Sequence, residues 1–480
     1  MVKRPIKSLE PGTPSTGVRG ENLWLVRAVF LLPAALTAAM VAAFAVDVPF
    51  HDQFELVPHL ERLYSGSLSW ADFDKQHNES RILVPQTVFL LTAWLTGFDS
   101  RAQLIPSFLC VFLAGLILFR LGTLLPARAP LPWFAFLPCA LLWFGWRQHE
   151  SLLWGACLVN TMVVLGVVAA LYFLWRSAEL PWCFPLAILA AAGASFSQGS
   201  GLFVWPLGMA CLVVLEFPFI ERVRKLAAWG FIGFAVVLAY FANYRQQVNP
   251  WPTGWGYVFA NPRAALDYSL VYLGSSLAGS GVQAWIAGAI TAAAFAVVFW
   301  HAVRDREFRR AAVPPLALMV YVLATLAMVL PSRLGLGVGQ AYSSRYTVTT
   351  CLGPVAVVLA GSLLRSRSRF HAAAFHGFLV VMAVGIGLGY RQAYGAVQSD
   401  YRQRLAARAD LLCFDRVPDG RLAPALYPDA NRVRHDAQIL RRHNLSVFRG
   451  GAVCSAPAQS GMLYYGMPNG PVAQLVRALP

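Results

Sequence analysis

The chain has 480 residues, of which 57% are hydrophobic and 13% are charged, and its formal net charge at pH 7 is +16. Such a charge would indicate nucleic-acid binding in a soluble protein, but apolar runs of membrane-spanning length recur from Leu23 to about Tyr390. The basic residues form short clusters between these runs, as the positive-inside bias produces, so we expect no nucleic-acid partner. The composition predicts an all-α polytopic membrane protein.

The first apolar run, Leu23–Val46, follows a short basic segment rich in Pro, Gly and Ser. Residues 1–22 are typical of a cytoplasmic, poorly ordered tail. The run is too long for a signal peptide and lacks a small-residue cleavage site, so we expect a retained first crossing. This crossing would deliver a large loop, residues 47–102, to the outside.

Further apolar segments are predicted at Ile82–Phe98, Gln103–Leu125, Leu131–Trp146, Leu152–Trp175, Trp182–Phe196, Leu202–Pro218, Ala227–Phe241, Val282–Trp300, Val313–Leu330, Val348–Leu364 and Ala373–Leu388. Basic clusters near their ends should be cytoplasmic, namely Arg120/Arg128, Arg176, Arg222/Arg224/Lys225, Arg304/Arg306/Arg309/Arg310 and Arg365/Arg367/Arg369.

With these clusters inside, both ends of residues 47–101 lie outside, and Ile82–Phe98 does not cross the bilayer. That segment is short and contains Pro85, which suits an interfacial or re-entrant helix. The prediction is about eleven transmembrane helices (range 10–13), an inside N-terminus and an outside tail. The alternative is that Ile82–Phe98 does cross the bilayer and that the number of crossings is miscounted in another segment. The region Trp182–Pro218 is where such a miscount would most easily arise.

Acidic residues gather in the first loop of a chain that is otherwise poor in them. Asp52 lies a few residues past the first crossing, and Glu55 follows at helical spacing, so the two carboxylates can share a face. A carboxylate there can accept a proton from an attacking hydroxyl or amine, or hold Mg²⁺ or Mn²⁺ with a second carboxylate. The alternative is an ordinary solvated loop charge, which we favour for Glu61, Asp72 and Asp74.

The stretch HNESR places His77, Glu79 and Arg81 where the chain re-enters the membrane interface. These side chains are candidates for the site, together with His51 beside Asp52. The alternative is a helix N-terminus with an Asn cap and an acid near the helix dipole, and the two readings are compatible.

The second constellation is a late outer loop with Arg333, Gln340, Arg345 and Tyr346. Two arginines in an outer loop are contrary to the positive-inside tendency and need an explanation. Binding of an anionic lipid phosphate is one, because a guanidinium binds phosphate oxygens bidentately. The alternative is that they pair with lipid headgroups or with carboxylates of the tail.

A third constellation, RQHESLLWG, contains His149 and Glu150, with Asn160, Ser197 and Gln198 nearby in the expected bundle. Polar groups at the ends of apolar helices more often join helices than react. Contacts from His149 and Glu150 to a sugar or a metal are the other reading.

The tail is predicted to form a small outer region over residues 395–467, in which Cys413 and Cys454 can form a disulfide if it faces an oxidising compartment. The final PNGPVAQLVRALP resembles a peptide translated from a transfer-RNA gene. Residues 468–480 are therefore expected to be a non-functional extension.

The motifs HDQFELVPHLERLYSGSLSWADF, QHNESRILVPQ, ESLLWG and SSRYT look like those of bacterial multi-pass proteins commonly assigned to the GT-C superfamily of integral-membrane glycosyltransferases. The order of crossings and outer loops also resembles that group, which includes protein O-mannosyltransferases, aminoarabinose transferases and oligosaccharyltransferases. The resemblance covers most of the chain from Leu23 to about Tyr390.

The resemblance implies inverting transfer of a hexose or pentose from a polyprenyl-phosphate carrier to a lipid, glycan or protein, at the periplasmic face of a bacterial inner membrane. Asp52 becomes the base, Glu55 or Glu79 a second acid, and Arg333 and Arg345 ligands of the carrier phosphate. The partners would be the polyprenyl-phosphate-linked donor and membrane lipids. Some members need a divalent metal and others do not. The chain departs from the family by offering NESR rather than an acid-His-Arg run.

Competing classes remain. A polysaccharide ligase or polymerase also acts outside on polyprenyl-linked glycans, but an early acidic loop argues against it. A transporter or flippase of lipid-linked glycans should show ionisable residues at mid-membrane and related halves, and few intramembrane charges are found. A non-catalytic scaffold does not explain the outer concentration of Asp, His and Arg.

Overall fold

The computed structural model describes residues 23–73, 76–125, 131–245 and 249–454. The predicted tail 1–22, Asp74, Arg128 and the extension 468–480 lie outside these ranges. In chain order the helices are α1 (Leu23–Phe44), α2 (Val57–Ser65), α3 (Trp70–Phe73), α4 (Leu83–Thr96), α5 (Leu104–Thr123), α6 (Trp133–Trp143), α7 (His149–Leu153), α8 (Leu158–Arg176), α9 (Cys183–Ser195), α10 (Val204–Val214), α11 (Phe219–Phe241), α12 (Trp255–Ala260), α13 (Pro262–Gly274), α14 (Gly281–Arg304), α15 (Arg306–Ala311), α16 (Val313–Arg333), α17 (Thr347–Thr350), α18 (Leu352–Arg365), α19 (Arg369–Leu412), α20 (Asp419–Ala425) and α21 (Ala430–Arg442). Two short strands, β1 (Gln76–His77) and β2 (Ser80–Arg81), pair antiparallel.

Eight helical spans in the described ranges are long and apolar enough to cross a membrane, which confirms the all-α polytopic class. They lie in α1, α5, α8, α11, α14, α16, α17–α18 and α19. The span of α17–α18 is 94% buried, whereas the span of α11 is 22% buried. The α17–α18 span is therefore central in the bundle, and α11 is peripheral and presents its apolar side chains outward.

Small residues let α13 and α14 approach closely. A Cβ atom built on Gly274 would lie 1.9 Å from the Ala284 carbonyl oxygen, and one built on Gly288 would lie 1.8 Å from that of Leu270. Neither glycine can therefore be replaced without separating the helices, as expected for packing by small residues in membranes.

The basic ends of the helices gather at one end of the bundle. The Lys225 ammonium donates to the Ser177 carbonyl oxygen at 2.8 Å, which joins α11 to the end of α8. Arg367, just before α19, pairs with Asp305 at 2.5 Å, and Arg310 of α15 pairs with Glu216. The predicted basic clusters at Arg176, Arg222/Arg224/Lys225, Arg304/Arg306/Arg309/Arg310 and Arg365/Arg367/Arg369 thus come together on one face.

The opposite end carries the cap, which we define as the described residues of 47–101 and 395–454. Val48, Phe54 and Leu60 of the first loop share one buried apolar core with residues of the chain's end, among them Leu422 and Leu440. The 44-residue helix α19 runs from the basic end into this core. Two segments far apart in sequence therefore fold together.

Polar contacts also join the two segments of the cap outside its apolar core. The Arg449 guanidinium lies 2.6 Å from Asp47 and 2.7 Å from Asp99, and the Ser446 amide donates to the Gly97 carbonyl oxygen at 2.8 Å. A disulfide links Cys413 to Cys454, the pairing that the sequence left open.

Helix α4, within the predicted segment Ile82–Phe98, has both ends at the cap side of the bundle. At its start, the Val84 amide donates to the Phe196 carbonyl oxygen at 3.1 Å, and the preceding Arg81 contacts the end of α11. At its end, the Gly97 carbonyl oxygen accepts a hydrogen bond from the Ser446 amide of the cap's second segment. The side of α4 that bears Trp94 is exposed.

Candidate functional site

A cavity of about 540 Å³, here called the central cavity, lies between the cap and the bundle. Eight of the residues proposed from the sequence line it, namely Asp52, Glu55, His77, Glu79, Arg333, Gln340, Arg345 and Tyr346. Of the other candidates, His51, Arg81, His149 and Glu150 are absent from its lining. The first loop, with its β1–β2 hairpin, therefore meets the late loop, although Glu79 and Arg333 are 254 positions apart in the chain.

The Asp52 carboxylate is held at the cavity by a rigid turn over His51–Leu56. His51 has a φ of 47°, which is unfavourable for a residue with a Cβ, and its amide donates to the Leu426 carbonyl oxygen at 2.7 Å. The Gln53 amide nitrogen donates to Gln103 Oε1 at 2.6 Å, which fixes the turn to the segment before α5. Within the described ranges no hydrogen bond or ion pair engages the Asp52 carboxylate.

Glu55, on the same turn, is occupied by the end of the chain. The Tyr427 hydroxyl donates to Glu55 Oε1 at 2.6 Å, and the Arg432 guanidinium lies 3.6 Å from Oε2. Burial, together with the hydrogen bond to Glu55, raises the pKa of Tyr427 above its usual value. Glu55 is thus fixed in place as part of the contact between the two segments of the cap.

Glu79 is joined to the late loop. Arg333 Nη2 lies 3.0 Å from both carboxylate oxygens of Glu79, and its guanidinium is 5.5 Å from the Trp251 ring. The neighbouring His77 Nε2 is 3.3 Å from the side-chain nitrogen of Asn78. Glu79 and Arg333 therefore form a partly exposed ion pair across the central cavity.

Arg81 caps α11. Its Nε donates to the Tyr240 carbonyl oxygen at 2.6 Å, and its terminal nitrogen donates to the Ala242 carbonyl oxygen. Carbonyls at a helix end have no partner within the helix, and a buried arginine satisfies them here. The Arg81 side chain therefore ties the hairpin to the end of α11 through hydrogen bonds to backbone oxygens.

Glu150 binds the backbone and a hydroxyl of the late loop. Its Oε2 accepts hydrogen bonds from the Arg345 amide at 3.1 Å and from the Ser343 hydroxyl at 3.2 Å. Its own amide donates to Ser344 Oγ at 3.1 Å. These contacts fix the backbone at Arg345, while no hydrogen bond or ion pair of the Arg345 guanidinium occurs within the described ranges.

His149 is buried and His51 is half-buried, and neither lines the central cavity. His149 Nε2 is 3.4 Å from an Asp400 carboxylate oxygen, and its Nδ1 is 3.3 Å from Ser344 Oγ. The His51 ring packs against Phe50. Burial lowers the pKa of both imidazoles, which favours their neutral form.

Several lining residues were missed in the sequence. Trp154 is the tryptophan of the ESLLWG motif and Trp251 lies in a long loop, so each had a weak signal as an aromatic next to a polar stretch. Tyr427 and Arg432 do not line the cavity but hold Glu55, and they had no sequence signal because that role comes from contacts between distant residues. The Gln198 side-chain nitrogen donates to Asn160 Oδ1 at 2.9 Å, so those two polar residues join helices and also line the cavity.

The ligand set for a divalent metal is incomplete in the part of the chain that the structure describes. No group of three or more His, Cys, Asp or Glu side chains suited to a metal ion is found there. Of the two acids considered, Glu55 is already bound by Tyr427 and Arg432. These residues do not fit a Mg²⁺ or Mn²⁺ site.

Comparison with protein-family models, curated proteins and solved structures found no match. The central cavity itself provides a carboxylate, Asp52, and a guanidinium, Arg345, that no hydrogen bond or ion pair engages within the described ranges, with indole rings in the same lining. Such a set can remove a proton, stabilise a phosphate and contact the apolar face of a sugar.

Proposed function

We propose that this protein is an integral-membrane glycosyltransferase of the GT-C type. It transfers a hexose or pentose, with inversion, from a polyprenyl-phosphate carrier to a lipid, glycan or protein. One observation carries the proposal: Asp52 and Arg345 line the same cavity at one end of an apolar helical bundle, and neither charged group is paired in the described ranges. A base and a phosphate ligand are what this transfer requires.

The proposed orientation places the central cavity at the periplasmic face of a bacterial inner membrane. The arginine-rich end of the bundle would then be cytoplasmic, in agreement with the positive-inside bias. The eight long spans, together with α6, α9 and α10, would make eleven crossings. Helix α4, with 14 residues, is at least as long as α6, α9 and α10, so the position of its ends, and not its length, distinguishes it from these crossings. We infer that it lies along the outer surface, since both its ends contact the cap side.

In the proposed reaction, Asp52 accepts the proton of the acceptor hydroxyl as its oxygen attacks the anomeric carbon. The bond from that carbon to the phosphate oxygen breaks on the opposite face, and its electron pair leaves with the polyprenyl phosphate. Arg345 donates hydrogen bonds to the phosphate oxygens as their charge increases. The indoles of Trp154 and Trp251 supply apolar walls for the sugar.

The remaining candidates take supporting roles in this proposal. Arg333 is a second phosphate ligand whose position is set by Glu79. Glu55 holds the turn that presents Asp52, through its bond to Tyr427. Gln340 and Tyr346 complete the wall on the side of the late loop.

The test is transfer of radiolabelled sugar by the purified protein in detergent, with lipid extracts that contain polyprenyl-phosphate sugars and acceptors. Asp52→Asn should lower turnover about 10²- to 10⁴-fold, the usual contribution of a general base. Arg345→Ala should reduce transfer with a similar order of loss, while Arg345→Lys should recover part of it.

Glu61→Gln is the matched control. Glu61 lies in the same loop but pairs with Arg442, away from the central cavity, so its loss should leave transfer unchanged. Full transfer by Asp52→Asn would remove the assigned base. An absence of transfer from every donor with folded wild-type protein would refute the proposed activity.

A further inference from the structure

A second cavity, of about 400 Å³, lies at the base of the cap and is separate from the central cavity. Here called the arginine cavity, it is lined by Arg101, Arg408 and Arg449, together with Asp47. The three arginines come from the segment before α5, from α19 and from the end of the described chain. Three distant segments thus bring guanidinium groups to one concave surface.

The charges around the arginine cavity do not cancel. Arg449 is bound by Asp47 and Asp99, and Arg101 pairs with Asp99 at 2.8 Å. Arg408 is half-buried, and no hydrogen bond or ion pair engages its guanidinium within the described ranges. Three guanidinium groups against two carboxylates leave one positive charge. That charge matches the single negative charge of a phosphodiester.

The position of the arginine cavity suits a lipid headgroup. Its wall includes Ala45 and Val46, the residues that directly follow the apolar helix α1. Leu405, one helical turn before Arg408, is 44% exposed and lines the same cavity. An apolar rim next to an unpaired guanidinium is the combination found where a phosphate meets the acyl region of a bilayer.

We propose that the arginine cavity binds a phosphodiester anion, the headgroup of an anionic membrane lipid, with Arg408 as its principal ligand. Arg101 and Arg449 are held by acids and shape the pocket around the phosphate. The site fastens the cap to the membrane surface. It does not depend on the chemistry proposed for the central cavity.

The experiment uses the delipidated full-length protein in neutral detergent. Phosphatidylglycerol, phosphatidylcholine with the same acyl chains, or inorganic phosphate is added, and binding is followed by native mass spectrometry and thermal unfolding. Phosphatidylglycerol should bind more tightly than phosphatidylcholine. Arg408→Gln should weaken that binding about fivefold, the effect of one arginine near a charged membrane surface.

Arg402→Gln is the matched control, because Arg402 is exposed on the same helix and does not line the arginine cavity. Its binding of phosphatidylglycerol should equal that of wild type. Equal weakening in both variants, or equal affinity for the two lipids, would overturn the proposal. Inorganic phosphate that stabilises the protein as well as the lipid does, with the same loss in Arg408→Gln, would overturn the lipid assignment in favour of a free anion.

Discussion

Glu150 should act on transfer through the position of Arg345. Its Oε2 accepts one hydrogen bond from the Arg345 amide and one from the Ser343 hydroxyl. Glu150→Ala would leave both donors unsatisfied, at a cost of about 1–2 kcal/mol each, or about 2–4 kcal/mol together. If this cost falls on the placement of Arg345, kcat/KM should decrease about 30- to 1,000-fold.

Glu150→Gln keeps an oxygen acceptor but loses the charge, so a decrease of about fivefold is expected. Glu179→Ala is the control, because Glu179 is exposed at the basic end of the bundle and pairs with Arg176. The assay is steady-state transfer with varied donor, and thermal unfolding is measured on the same preparations.

A double-mutant cycle separates positioning from general damage to the fold. Because Glu150 is expected to act through Arg345, the double variant Glu150→Ala/Arg345→Ala should be no less active than Arg345→Ala alone. Fully additive losses would contradict the positioning role. So would a loss of stability in Glu150→Ala with normal kcat/KM per folded molecule.

Three other variants probe contacts outside the reacting groups. Arg81→Ala should lower the stability by about 2–4 kcal/mol, because the carbonyls at the end of α11 lose their donors; a rise in donor KM without loss of stability would instead indicate a substrate contact. Cys454→Ser removes a disulfide that joins residues 41 positions apart. In the chain-entropy model the free energy of unfolding should fall by roughly 4 kcal/mol, and proteases should cleave the cap faster. An unchanged rate of cleavage would contradict this prediction. Since burial lowers the pKa of His149, the stability that it contributes is present above its unfolded pKa of about 6.5 and is lost as pH falls through its folded pKa. Wild type should therefore lose more stability than His149→Gln between neutral and acidic pH, and parallel pH profiles of unfolding would refute this.

The helices and the basic end of the bundle were predictable from local sequence. Apolar runs set the helix positions to within a few residues, as for Trp182–Phe196 and α9. The basic clusters predicted which end of the bundle is arginine-rich, and therefore that the first and late loops lie together at the opposite end. Because both loops were predicted to lie at the same end, their side chains could be expected to meet. Eight of the candidates do line one cavity.

Other features could not be predicted because they depend on contacts between distant residues. Arg81 was a substrate ligand in the sequence reading, but its partners are backbone carbonyls of α11, which carry no sequence signal. The bond from Tyr427 to Glu55 spans 372 positions. Helix α19 continues well past the predicted segment Ala373–Leu388, because its polar second half packs into the cap.

The shared core of the cap has a consequence for biogenesis. Phe54 and Leu60 are synthesised early, but their partners Leu422 and Leu440 are made only after most of the chain. At translation rates of about 5–20 residues per second, the 372 positions between Glu55 and Tyr427 correspond to roughly 20–75 seconds. During this interval the first loop has emerged from the ribosome with its apolar side chains uncovered. A chain released before α20 would leave that apolar surface uncovered, so burial of the first loop depends on synthesis of both segments of the cap.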